Sequence, residues 1–310
     1  SLMKHRSRRR HPVRLALFLL IPLAAAGIAA AVWFENHTSL QNVYDGKSLI
    51  LVDRSDDSIF ISKRETDTRV PASLAKLFVL EYACGLADRD AIVPADPQAI
   101  AMTKPGSSVA GITEQEYYLH NLYAAMLVPS GNDAAYVVAD YCGGLLDPQA
   151  STAGERVNAF MTGLNQHIAE IGCTDTVLYD PSGFDLDAHT TVLDLKTVVD
   201  RLLENSWFRD IVCQSSYTAI LPDGSTQIWK NTNTFLDPES EYYNENVIGI
   251  KTGSLSDDYN LVVLYRQHGK EFLICSLGSS TTTSRYDDVS VILKTIDESN
   301  YLSGSGTTGS

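Results

Sequence analysis

VIGIKTGSLSDDYNLVVLYRQHGKEFLICSL, residues 247–277, holds three β-rich segments, 247–251, 260–266 and 271–277. They are dense in the β-branched and aromatic residues that suit a pleated, half-buried surface. The last two are joined by only Gln267-His268-Gly269-Lys270. Two more strands are expected far upstream, at 48–53 (SLILVD) and 58–63 (SIFISK), around the polar turn Arg54-Ser55-Asp56-Asp57. A further hairpin is signalled by 217–221 and 226–230 flanking Pro222-Asp223-Gly224.

Between these strands the apolar period changes from two to between three and four. A helix is expected from Ser73 to about Leu86, with Leu77, Leu80 and Cys84 on one face. Thr113 and Glu116 have the spacing of a capping box that opens the run Tyr118, Leu122, Ala125, Met126. Residues 132–142 continue as a helix closed by Gly143-Gly144. Val157, Phe160, Leu164 and Ile168 mark another helix, Val192, Leu195, Val198 and Leu202 the next, and 286–297 a last one. Strands at both ends with helices between imply an α+β fold. An antiparallel sheet would gather the first and last segments, flanked by helices, and the helical middle would form a second lobe across a cleft.

The chain has 310 residues, 44% hydrophobic and 20% charged, with a net charge of −14. That charge is unevenly spread. Residues 1–37 contain Lys4, Arg6, Arg8, Arg9, Arg10 and Arg14 against Glu35 alone, leaving 18 basic and 37 acidic residues for the rest. So acidic a body repels phosphate backbones, which argues against a nucleic-acid partner. Residues 15–34 (LALFLLIPLAAAGIAAAVWF) are uncharged and, as a helix, would reach about 30 Å, the thickness of a bilayer core. The expected organisation is a cytoplasmic basic segment at 1–14, a transmembrane signal-anchor at 15–34, a linker at 35–46, a folded domain at 47–300 and a disordered tail at 301–310. Basic flanks stay inside, so the body would lie outside the cytoplasm on a single-pass anchor. Ala24-Ala25-Ala26 and Ala29-Ala30-Ala31 also resemble signal-peptide cleavage sites, and cleavage would give a secreted protein.

Five scattered cysteines (Cys84, Cys142, Cys173, Cys213, Cys275) form no C-x-x-C pair, and no histidine sits in H-E-x-x-H. Neither a metal nor another cofactor is expected. One or two disulfides outside the cell remain open.

Three short motifs carry chemistry. Ser73-Leu74-Ala75-Lys76 is S-x-x-K at a helix start, Ser130-Gly131-Asn132 is S-G-N between two helices, and Lys251-Thr252-Gly253 is K-T-G at the end of a strand. One alone means little, for Ser1-Leu2-Met3-Lys4 is S-x-x-K too; the order and setting of all three are what signify. Positions i and i+3 share a helix face, so Lys76 can approach Ser73. A desolvated lysine has a lowered pKa and can take the proton of a serine hydroxyl during attack. The Ser73 N–H at a helix start and the Ser254 N–H after K-T-G suit an oxyanion. Lys251 and Thr252 offer charge and a hydroxyl to a carboxylate, Ser130 a proton relay and Asn132 an amide.

These motifs resemble those of the penicillin-recognising serine enzymes, and most of all the low-molecular-mass D-alanyl-D-alanine carboxypeptidases. Supporting runs are Pro71-Ala72-Ser73, Lys104-Pro105-Gly106-Ser107-Ser108, Ser130-Gly131-Asn132-Asp133-Ala134-Ala135 and Tyr259-Asn260-Leu261-Val262, within a similarity covering about 45–298. The resemblance implies a β-lactamase/DD-peptidase-like fold with its active site in the cleft. It implies removal of the terminal D-alanine from peptidoglycan stem peptides through an acyl-enzyme on Ser73, and covalent inhibition by β-lactams. Ser73, Lys76 and Ser130 would be catalytic; Asn132, Lys251, Thr252, Gly253, Ser254 and Arg285 would bind substrate, Arg285 at its terminal carboxylate. The family's Asn-x-x-Gly-Leu appears here as Asp180-Pro181-Ser182-Gly183-Phe184, a departure that leaves this loop without an assigned role.

Three rival readings are a class A-like β-lactamase, a DD-endopeptidase and a non-catalytic β-lactam or wall-binding sensor. The first needs a Glu-x-x-Leu-Asn segment between the second and third motifs. Glu155-Arg156-Val157-Asn158 and Glu170-Ile171-Gly172-Cys173 do not match it. A sensor would be expected to carry cytoplasmic machinery, for which residues 1–14 are short.

Overall fold

A five-stranded antiparallel sheet in the order β2-β1-β9-β8-β7 forms the backbone of the protein. Its strands are β1 (Ser48–Asp53), β2 (Ser58–Lys63), β7 (Val247–Leu255), β8 (Asp258–Gln267) and β9 (Lys270–Ser279). The first two and last three strand segments meet where β1 pairs with β9, Leu49 opposite Ser276 and Val52 opposite Leu273. The structure, a computed structural model, describes residues 43–299. The expected segments 1–14 and 15–34, most of the linker and the tail 301–310 lie outside the described residues.

Both faces of β1, β8 and β9 are covered, which is why these strands read as nearly unbroken apolar runs, while the edge strand β2 is only partly buried. Ile50, Val52, Val262, Leu264, Leu273 and Cys275 belong to the large core shared with the helical lobe. The alternate residues Leu49, Leu51, Val263, Phe272 and Ile274 are equally buried. They lie on the side of the C-terminal helix (Ser284–Glu298), which contributes Tyr286, Val289, Ile292 and Ile296.

The helical lobe is built around α1 (Ala75–Ala83), which follows a 3₁₀ turn at Ala72–Leu74. Leu77, Phe78, Val79 and Leu80 are all within 1% of full burial, each stabilising the fold by roughly 1.5–3 kcal/mol. This helix is apolar all round because it is enclosed by α3 (Leu119–Leu127), α4 (Asn132–Leu146), α5 (Ala153–Glu170) and α6 (Val192–Leu202). Two small sheets flank the lobe: β3 (Ile92–Pro94) with β4 (Glu116–Tyr118), and the expected hairpin β5 (Ser216–Ile220) with β6 (Thr226–Lys230).

Three expectations are corrected, and two helices come without one. Thr113 and Glu116 do not cap a helix: Glu116 lies in β4, and α3 begins after Tyr118, whose N–H donates to Asn121 Oδ1 at 2.9 Å. Gly143-Gly144 does not end α4. A side chain at Gly143 would meet the carbonyl oxygen of Arg156 at 1.8 Å, so this glycine serves close contact with α5. The α2 (Pro97–Ala101) and α7 (Ser206–Val212) helices had no sequence signal, both being too short to show a period. K-T-G lies within β7, which runs on to Leu255, and not at a strand end.

Candidate active site

Ser73 sits in the 3₁₀ turn and Lys76 in the first turn of α1, so their side chains emerge together at the cleft between lobe and sheet. Two non-glycine residues with left-handed backbone bracket the site, Ala72 (φ 49°) and Ser130 (φ 61°). Such conformations cost about 1–3 kcal/mol each and persist where surrounding contacts fix them. At Ser130 the effect is to turn its hydroxyl inward. The helix that follows is capped by Gly131 with no side-chain bond, so Ser130 is not spent as a cap.

Lys76 is fully buried. Its Nζ lies 2.8 Å from Ser73 Oγ, 3.2 Å from Ser130 Oγ, 2.6 Å from Asn132 Oδ1 and 3.3 Å from the Ser182 carbonyl oxygen. Burial pulls its pKa down from 10.5 to about 7, against the opposing pull of Asp180 and Asp133. Near neutrality the amine is therefore often unprotonated. A neutral amine has two N–H groups and one lone pair. The two carbonyl oxygens only accept, so they take both N–H groups, and the lone pair faces the serine hydroxyls, with Ser73 the nearer.

Lys251, on β7, donates to Ser130 Oγ and to the Thr252 carbonyl oxygen, both at 2.8 Å. Burial, then the charges of Lys76 and Arg285, push its pKa well down. Ser130 Oγ thus bridges the two lysines. Thr252 Oγ1 meets Thr232 Oγ1 at 2.6 Å. Gly253 is held against the Ser73 turn: a side chain there would stand 3.0 Å from the Pro71 carbonyl oxygen and 3.1 Å from Ser73 N. Its smallness lets sheet and turn close on one another.

Arg285 is buried behind β7. Its Nη1 donates to the carbonyl oxygens of Gly253 (3.1 Å) and Asn260 (3.0 Å) and to Ser254 Oγ (3.1 Å). Its guanidinium also lies 5.2 Å from the ring of Tyr286. The cleft, about 280 Å³, is lined by Ser73, Asn132 and Ser254 together with the loops 106–108, 182–184 and 254–256. Arg285 fixes this sheet wall and its field.

Three residues without an assigned role hold the walls. Asp133 accepts from the N–H groups of Ala110 and Ile112 at 2.8 and 2.9 Å, tying the 104–112 loop to α4. Asp180 accepts from the N–H groups of Ser182, Gly183 and Asp185 and from the Ser182 hydroxyl. This turns the Ser182 carbonyl toward Lys76, while Gly183, at φ 81°, lies so near Ala72 that no side chain fits. The departure at 180–184 is therefore a wall of the cleft, and its Asp-Pro-Ser-Gly sequence is a turn signal that marks it. Asn260 donates to the carbonyl oxygens of Val70 and Pro71 at 2.9 and 3.0 Å and accepts from Gly278 N. It joins the serine turn to β8, a role with no sequence signal beyond position.

Comparison with known proteins agrees with this geometry. The family model described as D-alanyl-D-alanine carboxypeptidase matches residues 35–281. A D-alanyl-D-alanine carboxypeptidase of Streptomyces strain K15 is 28% identical over 75% of this chain and 78% of its own length. The Bacillus subtilis enzyme DacF is 21% identical over 81% of this chain, which spans only 61% of that protein. Among solved structures, a variant of the Streptomyces K15 DD-transpeptidase superposes with a TM-score of 0.72 at 25% identity, covering 81% of this chain and 97% of the other. Ampicillin-bound penicillin-binding protein D2 of Listeria monocytogenes shares the fold, with a TM-score of 0.64 at 19% identity over 81% and 96% of the two chains. A buried lysine beside a serine at a helix start, faced by a K-T-G strand, is thus set in a chain that belongs to the D-alanyl-D-alanine carboxypeptidase family of serine peptidases.

Proposed function

We propose that the protein removes the terminal D-alanine from peptidoglycan stem peptides ending in D-Ala-D-Ala, with Ser73 as nucleophile and Lys76 as its base. The observation that carries this is the Lys76 amine, buried, pulled toward neutrality and 2.8 Å from Ser73 Oγ. Ser73 Oγ attacks the carbonyl carbon between the two D-alanines while its proton passes to Lys76 Nζ. The N–H groups of Ser73 and Ser254 receive the oxyanion. Ser130, between the two lysines, hands a proton to the leaving amine as the C–N bond breaks, and D-alanine departs. Water then cleaves the Ser73 ester. Asn132 keeps its carbonyl oxygen on Lys76, so its amide nitrogen is the half that donates to substrate. Lys251 and Thr252 receive the terminal carboxylate, and Arg285 supports them by its charge and by holding Ser254.

A β-lactam presents an acyl carbon and a carboxylate in one small molecule, so it should acylate the same serine. A fluorescent penicillin is expected to label the protein covalently and Ser73→Ala to abolish both the label and D-alanine release; a label that survives this change ends the assignment. The same reading places the domain outside the cytoplasm, anchored through residues 15–34. That rests on the run of uncharged residues after a basic segment, and extraction of the full chain from membranes by detergent but not by alkaline carbonate tests it.

A further inference from the structure

Building on the carboxylate-binding reading just given, we infer that Thr232 is a positioning residue that sets the direction of the Thr252 hydroxyl and so governs recognition of a free terminal carboxylate. A threonine hydroxyl has one proton. To donate it to an anion, Thr252 must accept its remaining hydrogen bond from elsewhere. Thr232 Oγ1, at 2.6 Å, is placed to supply it. When Thr232 donates to Thr252 and Thr252 to the carboxylate, the bonds run in one direction and strengthen each other. When the pair runs the other way, the Thr252 proton is spent on Thr232 and the Thr252 oxygen faces the carboxylate with no proton between them.

Thr232 is held on both sides for this task. Its N–H donates to the Val128 carbonyl oxygen at 3.1 Å, two residues before Ser130. Its carbonyl oxygen accepts from Tyr286 Oη at 3.2 Å, next to Arg285. Tyr286 Oη in turn accepts from Thr234 N at 3.3 Å. The backbone of Thr232 is thereby fixed to the segment that carries Ser130 and to the helix that carries Arg285, while only its side chain reaches K-T-G. Thr232 is half-buried, so its hydroxyl keeps this partner in a partly desolvated place.

The test uses two peptides ending in D-Ala-D-Ala, one a free acid and one amidated, with wild type, Thr232→Val and Thr232→Ser. Valine keeps the shape and removes the hydroxyl; serine keeps the hydroxyl. Thr232→Val is expected to raise KM for the free acid about 5–10-fold with kcat little changed, the scale of one hydrogen bond. The amidated peptide should change less than twofold, and Thr232→Ser should return the free acid to within about threefold of wild type. Adding Thr232→Val to Thr252→Val should cost nothing more, because the pair acts as a unit. Equal loss on both peptides would show a structural role and overturn the inference, as would a Thr232→Val enzyme that matches wild type. Wild type that cleaves both peptides equally fails the carboxylate reading itself, a result distinct from either and seen before any variant is made.

Discussion

The two walls of the cleft are held together by different means. On the helical side Ser73, Lys76, Ser130 and Asn132 are linked through side-chain atoms, with Lys76 Nζ as the common centre at 2.6–3.2 Å. On the sheet side β7 is set by backbone: Gly253 against the Ser73 turn, Arg285 on the Gly253 carbonyl oxygen, Asn260 on the Val70 and Pro71 carbonyl oxygens. The first arrangement can move a proton along a chain of hydroxyls and amines. The second can hold a fixed pattern of charge and donors but transfers nothing by itself. The difference teaches that the groups that move the proton cluster on the helical elements and those that meet the terminal carboxylate cluster on β7, so mutations of the two sets should separate in kinetics.

The largest effect is expected on the helical wall. Lys76→Ala should slow acylation by about 10²–10⁴-fold, the usual contribution of a general base, measured as the rate of penicillin labelling. Since the neutral amine is the active form, acylation by wild type should fall as pH drops through about 7, approaching a tenfold loss per unit well below it. A profile flat from pH 5 to 8 would remove Lys76 from the base role. Lys251 also has its pKa pushed down, and the two lysines share Ser130, so their titrations belong to the pair. An anionic substrate brings the counter-charge that Lys251 lacks, favouring its protonated form in the complex.

On the sheet wall a smaller effect confined to one substrate is expected. Thr252→Val should lower kcat/KM for the free-acid peptide about 10–100-fold, the scale of a hydrogen bond to a charged group. Its effect on the amidated twin should be slight. Losses of the same size on both peptides would erase the division between the walls.

How far this division is legible in the sequence differs between the walls. S-x-x-K can be read because a helix puts i and i+3 on one face, and β1, β8 and β9 because the covered sheet demands apolar runs. The meeting of Ser130 with both lysines cannot be read from spacing: Ser130 and Lys251 stand 121 positions apart, and only the closed fold fixes their 2.8 Å contact. Asp180 lies in a loop to which the motifs assign no role, and its service to Lys76 depends on where the Ser182 carbonyl turns. Arg285 was expected to grip the substrate directly. Its Nη1 is engaged by β7 and β8 and its Nε by the Thr282 carbonyl oxygen, an arrangement set by the approach of the C-terminal helix to the sheet. Thr232 lies in a loop between elements, where no period exists to point at it.

The smallest effect tests what the two walls have in common. None of the described residues lining the cleft is a carboxylate, and a β-lactamase of the class A kind needs one to activate water. Glu155 and Glu170, the two glutamates weighed for that task, both lie on α5. Glu155 accepts from Ser151 N at 2.7 Å and from Ser151 Oγ at 3.2 Å, and Glu170 from Gln166 Nε2 at 3.0 Å. Both are surface partners in local turns, and Glu155 is fully exposed, its pKa lowered by the Ser151 backbone bond first. Asp180, nearer to Lys76, has its oxygens occupied by the N–H groups of its own loop. The acyl-enzyme formed with penicillin should therefore be long-lived. Glu155→Gln should change its decay by less than about twofold, the range of a surface substitution remote from the chemistry. A marked fall in penicillin turnover on that change would place a water-activating carboxylate where the structure has only a helix surface. It would also return the lactamase reading that the lining of the cleft argues against.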